Sequence, residues 1–333
     1  MGLLRKRSHC PGICRVSNIT GIENGSKILY TVESFKQPRT LYTCDLEYGH
    51  TSVWAKDAVP FKQEKYVTQQ VWYSSRDGSR IPMFLVHAKH IKPDKNNPVL
   101  LYGYGGFGIS LTPYFSPITA LWIEQGGIYA VPNIRGGGEF GEKWHKAGIL
   151  ENKQNSIDDF TAAAEWLIDN NYTRPQKLAI QGESNGGLLV GAALTQRPDL
   201  FQAVLCEYPD LDIIGYPRFA LNPAGMFEYG NASDKNAFSY ILKYSPYQNV
   251  RQGEKYPAVL LVSGDSDTRV PPLQARKMTA RLQYATASGN PVLLLYDTKA
   301  GHSAGRALGE IIHDLSLKMT FLFWQIGSYE QIR

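Results

Sequence analysis

From Pro98 onward, short apolar runs alternate with segments of helical period, and this alternation narrows the chain to a mostly parallel sheet covered by helices on both faces. Residues 98–102 (PVLLY) and 128–132 (IYAVP) have the length and character of strands buried on both sides. Residues 177–181, 203–207, 258–263 and 292–296 repeat that pattern. Between them, residues 156–170 place Ile157, Phe160, Ala164, Leu167 and Ile168 on one helical face. Ser156 stands where it would cap that helix, with Asp158 and Asp159 in the first turn. The stretch after Ser184, residues 273–285 and residues 306–324 also read as helices. With 333 residues, 43% of them hydrophobic, the chain can bury a large two-faced sheet as one α/β domain with an appendage.

The appendage lies before the alternation begins. Residues 26–32 and 40–46 favour strands, and the connection containing Pro38 suggests a hairpin. Residues 67–73 and 81–86 read as antiparallel strands joined across the turn signal Arg76-Asp77-Gly78-Ser79. The expected division is a β-rich N-terminal segment, residues 1–66, and an α/β domain, residues 67–333.

Several classes of function are excluded early. The net charge of +5 is small for this length, and the one dense basic run, Arg5-Lys6-Arg7, reads as a solvated terminus. No nucleic-acid partner is expected. Cys10, Cys14, Cys44 and Cys206 are too few for a disulfide framework. Cys10 and Cys14 lack a second pair of ligands at a suitable spacing, so neither metal nor cofactor is expected. No apolar stretch is long enough for a signal peptide or a membrane span, which makes a cytoplasmic location the default.

The chemistry is carried by Gly182-Glu183-Ser184-Asn185-Gly186, a G-x-S-x-G motif between an expected strand and an expected helix. Small residues there permit a strained turn that lifts the serine hydroxyl clear of the sheet, the nucleophile elbow of the α/β-hydrolase fold. A serine hydroxyl needs a base, and in this fold the partners follow in the order serine, acid, histidine. His302 follows the last strand, among glycines and alanines, and alone of the seven histidines has this placement. His145 precedes the nucleophile and reads as a locally bonded residue. The acid must come from the segment 264–270, where spacing leaves Asp265 and Asp267 both open. The amide of Asn185 is the expected first oxyanion donor. The second should come from the glycine-rich segment 103–108, which lacks the Gly-Lys-Ser/Thr of a phosphate loop.

These residues together resemble the catalytic domain of the prolyl oligopeptidase family. The likeness runs from about Val67 to the C-terminal helix. Its most specific blocks are residues 102–107 (YGYGGF), 133–139 (NIRGGGE), 182–190 (GESNGGLLV), 196–201 (QRPDLF) and the segments around Asp267 and His302. The resemblance implies Asp267 as the acid and the Tyr104 hydroxyl as the second oxyanion donor. It also implies that Arg269 binds a substrate carbonyl, and that Phe107, Tyr229 and Val270 line the pocket for the residue before the scissile bond.

Three departures from the family pattern stand out. Full-length members carry a β-propeller before the hydrolase domain, and here residues 16–66 resemble only its last blade. Gly225 falls where the family has the tryptophan on which a proline ring stacks. Asp210 falls at a pocket position that is usually apolar. Together these shape the functional expectation: a serine hydrolase with an open site, acting as a carboxylesterase on small acyl esters. The alternative is a prolyl oligopeptidase-type peptidase acting on short peptides, and the third reading is an inactive binding or scaffold fragment. Self-association to a homo-oligomer is also expected, through surface that the propeller would otherwise cover.

Overall fold

Two sheets organise the chain, and the computed structural model describes residues 12–21, 25–219, 225–298, 301–302 and 306–327. The smaller sheet is an antiparallel meander of β1 (Arg15–Gly21), β2 (Lys27–Glu33), β3 (Thr40–Asp45) and β4 (Thr51–Lys56), in that order. The hairpin expected across Pro38 is present, with Lys27 opposite Asp45 and Val32 opposite Thr40. Its turn is held by Ser34, whose Oγ accepts from the Gln37 amide at 3.0 Å. Tyr30 and Tyr42 face each other across the strands and stack at 5.6 Å, a cross-strand pair that reinforces the register. β1 and β4 were not separable in the sequence because their side chains are mostly exposed, which erases the alternation a half-buried strand shows.

The larger sheet has eight strands: β5 (Tyr66–Ser74), β6 (Arg80–Ala88), β7 (Val99–Tyr102), β8 (Ile128–Pro132), β9 (Leu178–Glu183), β10 (Ala203–Glu207), β11 (Ala258–Gly264) and β12 (Val292–Asp297). Their spatial order is β12-β11-β10-β9-β7-β8-β6-β5. Pairings from β7 through β9, β10 and β11 to β12 are all parallel. The helices are α1 (Pro117–Glu124), α2 (Glu142–Lys146), α3 (Lys153–Asp169), α4 (Asn185–Gln196), α5 (Tyr216–Phe219), α6 (Gly225–Tyr229), α7 (Lys235–Tyr244), α8 (Leu273–Ala285) and α9 (Leu308–Ile326). This is the expected α/β-hydrolase architecture. Every residue of β10 and β11 is buried, which explains why these strands read as unbroken apolar runs.

The chain divides into two compact units. One holds the described residues up to Gln70 together with Phe84–Ile91 and Thr112–Tyr129; the other holds Val71–Met83, Lys92–Leu111 and everything after Ala130. In the first unit the buried rings of Phe35, Phe84 and Tyr129 meet at 5.5 and 6.2 Å. The second unit contains all the residues singled out above as candidates for chemistry.

The register of the larger sheet decides where that chemistry gathers. Glu183 lies level with Glu207, Glu207 with Val262, and Gly264 with Asp297. The loops carrying Ser184, Asp267 and His302 therefore leave β9, β11 and β12 at the same end of the sheet, the carboxyl end where open α/β sheets bind ligands.

Two expectations are corrected here. α3 starts at Lys153, so Ser156 lies inside the helix instead of capping it. Its buried Oγ donates to the carbonyls of Arg135 at 2.7 Å and Gly148 at 3.1 Å. Asp159 is not a solvated first-turn acid. It is fully buried and receives the Arg135 Nε at 2.9 Å, Nη2 at 2.6 Å and backbone amide at 3.0 Å. Cys14 is disulfide-bonded, and Cys44 and Cys206 are free thiols. Cys10 lies outside the described residues. Among them, no helix is long and apolar enough to cross a membrane.

Candidate active site

Ser184 caps α4 with φ 59° and ψ −117°, a strained conformation for a residue with a side chain. The strain is imposed by close packing on both sides. A side chain on Gly182 would strike the Gly186 backbone, and a Cβ on Gly186 would stand 2.5 Å from the Gly103 carbonyl oxygen. The Ser184 amide donates to the Glu207 carbonyl at 2.9 Å, tying the elbow to β10. Glu207 is itself held by Gln181 at 2.7 Å and by Lys318. The turn thus sits on a fully hydrogen-bonded strand pair.

The acid–base pair is formed. His302 Nδ1 and Asp267 Oδ2 are 2.7 Å apart, with the Asp267 side chain wholly buried. Asp267 Oδ1 accepts from the amides of Arg269 and Val270, both at 2.8 Å. Each carboxylate oxygen therefore has a fixed role: one holds the loop and the other holds the imidazole. Asp265, the other candidate by spacing, is exposed and bonded to the Tyr296 hydroxyl. Tyr208 packs against His302 with ring centroids 5.5 Å apart. The neighbours of His302 at 299–300 and 303–305 lie outside the described residues.

The segment after β7 turns sharply at Gly105 (φ 62°), Phe107 (φ 55°) and Gly108 (φ 63°). Burial, with the charges of Glu228 and Glu183 nearby, pushes the Tyr104 hydroxyl up to about 12, so near neutral pH it keeps its proton and can donate. The Asn185 side chain fastens this segment to the elbow: Nδ2 donates to the Tyr104 carbonyl at 2.5 Å, and Oδ1 accepts from the Tyr229 hydroxyl at 3.1 Å. Arg269 is exposed on the acid loop, and its charge opposes the rise at Tyr104.

Two of the residues expected to line a pocket, Phe107 and Tyr229, belong to an aromatic chain. Phe107, 40% exposed, meets Tyr229 edge-on at 5.9 Å, and Tyr229 meets Tyr216 edge-on at 5.7 Å. Tyr216 escaped the sequence reading. A side chain on Gly225 would collide with its hydroxyl, so Tyr216 fills the space that the tryptophan expected at 225 would take. Nothing in the sequence separated Tyr216 from any other tyrosine. The signal was the glycine, whose absent side chain has to be replaced by something. Residues 220–224 lie outside the described set.

Asp210 is buried, and its Oδ1 has no hydrogen-bond partner. Burial raises its carboxyl to about 7, with Asp267 adding to the rise and His302 opposing it. Its charge also contributes to raising Tyr216 and Tyr229, so it belongs with the aromatic chain. Val270 is buried on the acid loop.

His145 is not bonded only locally. Its Nε2 pairs with Glu228 Oε2 at 3.0 Å, across 83 positions of sequence. Lys153, which the sequence reading did not single out, is buried and bonds both Glu228 Oε1 at 2.9 Å and the Gly105 carbonyl at 3.0 Å. Among the described residues, no cluster of histidine, cysteine or acid side chains could hold a metal ion.

Comparison with known proteins narrows what this arrangement serves. The family model described as Prolyl oligopeptidase family matches residues 113–328. A prolyl endopeptidase of Elizabethkingia miricola is 41% identical over 327 residues, covering 98% of this chain and 46% of the relative. A solved prolyl endopeptidase structure, from work on inter-domain dynamics in catalysis and specificity, superposes with a TM-score of 0.92. It is 43% identical over 96% of this chain and 47% of the other. A post-proline cleaving enzyme from Rickettsia typhi gives a TM-score of 0.87 at 37% identity, over 94% of this chain and 45% of the other. The chain spans about half the length of the curated relatives it matches.

Proposed function

This chain belongs to the prolyl oligopeptidase family, and on that premise we propose that it is a serine peptidase cleaving short peptides through an acyl-enzyme on Ser184. The observation that carries the reading is the 2.7 Å His302–Asp267 pair at the same end of the sheet as the strained elbow of Ser184. His302 takes the serine proton and later returns one to the leaving amine, while Asp267 holds the tautomer and stabilises the imidazolium. The Asn185 amide and the Tyr104 hydroxyl receive the developing oxyanion, and Arg269 receives a carbonyl of the peptide.

The peptidase reading replaces the carboxylesterase expected from the sequence. Likeness to prolyl endopeptidases over almost the whole chain favours peptides, and two observations ease the objections drawn from the pocket. Phe107, exposed and packed edge-on against buried Tyr229 with Tyr216 behind it, offers an aromatic face where Gly225 has none, a surface suited to a proline ring. Asp210 is largely neutral below about pH 7, which lowers the cost of an apolar side chain beside it. Val270 completes the pocket from the acid loop. The N-terminal segment 1–66 is read as a blade-like extension of the catalytic domain 67–333, since a four-stranded meander is the form of one propeller blade. Self-association rests on the exposed Ile19, Val53 and Trp54 of β1 and β4, and a monomeric mass by light scattering would remove it.

The test is a comparison of wild type with Ser184→Ala on a blocked Gly-Pro p-nitroanilide and on p-nitrophenyl butyrate. Ser184-dependent anilide cleavage is expected. Ester turnover alone would restore the carboxylesterase, and no turnover of either would leave the inactive fragment.

A further inference from the structure

The buried charges around Lys153 take no part in the chemistry just described, yet they close a circuit around it. Starting at Tyr104, the carbonyl accepts from Asn185 Nδ2, and Asn185 Oδ1 accepts from the Tyr229 hydroxyl. Tyr229 is bonded in sequence to Glu228, whose Oε1 receives Lys153 Nζ at 2.9 Å. The same Nζ donates to the carbonyl of Gly105 at 3.0 Å, and Gly105 follows Tyr104. Every member is tied on both sides. The carbonyls of residues 104 and 105 are both gripped, one by a neutral amide and one by an ammonium group.

A buried ion pair is poor evidence for stability, because desolvating both charges offsets their attraction. Lys153 and Glu228 are 3% and 2% exposed, and burial lowers the lysine below its usual range while Glu228 opposes the shift. A pair of apolar side chains would fill that space at least as well. What apolar side chains could not do is donate to the Gly105 carbonyl at a turn held in the left-handed region (φ 62°). The Lys153 ammonium also lies 5.6 Å from the Tyr229 ring centroid, so it steadies the pocket wall from behind. The second carboxylate oxygen of Glu228 is occupied by His145, whose ring lies against Gly108 at the far end of the same turn.

We propose that Lys153 and Glu228 are positioning residues that fix the backbone on either side of Tyr104, so that its hydroxyl is already aimed at the oxyanion when substrate arrives. The proposal rests on the peptidase reading, in which Tyr104 is an oxyanion donor. It adds that the donor's aim is set from beneath by an ion pair that never touches substrate. Preorganised donors act because they need no rearrangement at the transition state, and a misplacement of about 1 Å can cost roughly 100-fold.

The experiment is a cycle on the full chain, with the blocked Gly-Pro p-nitroanilide as probe and a fluorophosphonate titration to count active sites. Lys153→Met combined with Glu228→Gln removes the ion pair without stranding a buried charge. Tyr229→Phe opens the circuit elsewhere and serves alone if the first variant does not fold. Each change is made in the wild type and in a Tyr104→Phe background. Per active site, kcat should fall about 10- to 100-fold in the wild type with KM changed less than about threefold. In the Tyr104→Phe background the same changes should cost less than about threefold, because there is no hydroxyl left to aim. Equal factors in both backgrounds, or an unchanged kcat per titrated site, would reduce the cluster to a structural element and overturn the proposal. A wild type without Ser184-dependent turnover would overturn the peptidase reading itself, and the positioning role with it.

Discussion

Around Ser184 an added methyl group has nowhere to go, whereas beside His302 it does. A Cβ on Gly186 would stand 2.5 Å from the Gly103 carbonyl oxygen, while one on Gly301 would lie 3.5 Å from that of Ser266, an ordinary contact. The elbow that carries the nucleophile is defined by backbone packed on backbone. The acid–base side is defined by directed hydrogen bonds: two amides on one oxygen of Asp267 and an imidazole on the other. The first kind of construction is intolerant of size and indifferent to protonation. The second accepts changes of size but depends on which atom carries a proton.

The largest effect that sharpens this contrast is removal of the nucleophile. Ser184→Ala should lower kcat on the anilide by on the order of 10⁶, with the fold intact by circular dichroism. Asp267→Asn comes next. The asparagine oxygen can still accept from the Arg269 and Val270 amides, but its amide group then meets His302 Nδ1 and selects the wrong tautomer. A loss of about 10⁴ in kcat with little change in melting temperature is expected; a large loss of stability would show that the carboxylate's main task is to hold the loop.

The two glycines test the steric half directly. Gly186→Ala should cost about 100-fold in activity and about 1–3 kcal/mol of stability, measured by assay and by urea unfolding. Gly301→Ala should stay within about tenfold of wild type. Similar losses in both would break the comparison.

The smallest effect concerns pH. Asp210 has a pKa of about 7 in the folded chain, against 3.8 for an ordinary solvated aspartate, so the folded protein binds the extra proton. Below 3.8 the carboxyl is neutral in both folded and unfolded chains and carries no penalty; stability is lost as pH rises from there toward 7, then levels off. Asp210→Asn cannot ionise, so its melting temperature relative to wild type should be higher at pH 8 than at pH 5. An equal difference at both pH values would mean that the carboxyl is not held in its neutral form.

The same contrast explains what could be read in the sequence. β9, β10, β11 and α4 were legible because burial on both faces leaves apolar runs, and the elbow because close packing leaves glycines. Spacing alone could not separate Asp265 from Asp267, since both sit after the same strand and only the hydrogen bonds differ. His145 read as locally bonded, and Lys153 and Glu228 gave no signal, because their partners lie 75 and 83 positions away. Tyr216 was hidden for a related reason: it replaces a side chain missing nine positions later. β1 and β4 left no pattern, being largely exposed.

The left-handed backbone at Ser184 also limits which amino acids could ever serve there. Threonine offers the same hydroxyl to the same base, yet its second branch at Cβ makes φ 59° a severe outlier. Cysteine, unbranched, would fit the elbow as serine does. The turn therefore filters candidates by shape before reactivity is consulted, and an evolutionary exchange of nucleophile here could run between oxygen and sulfur but not from one alcohol to the other.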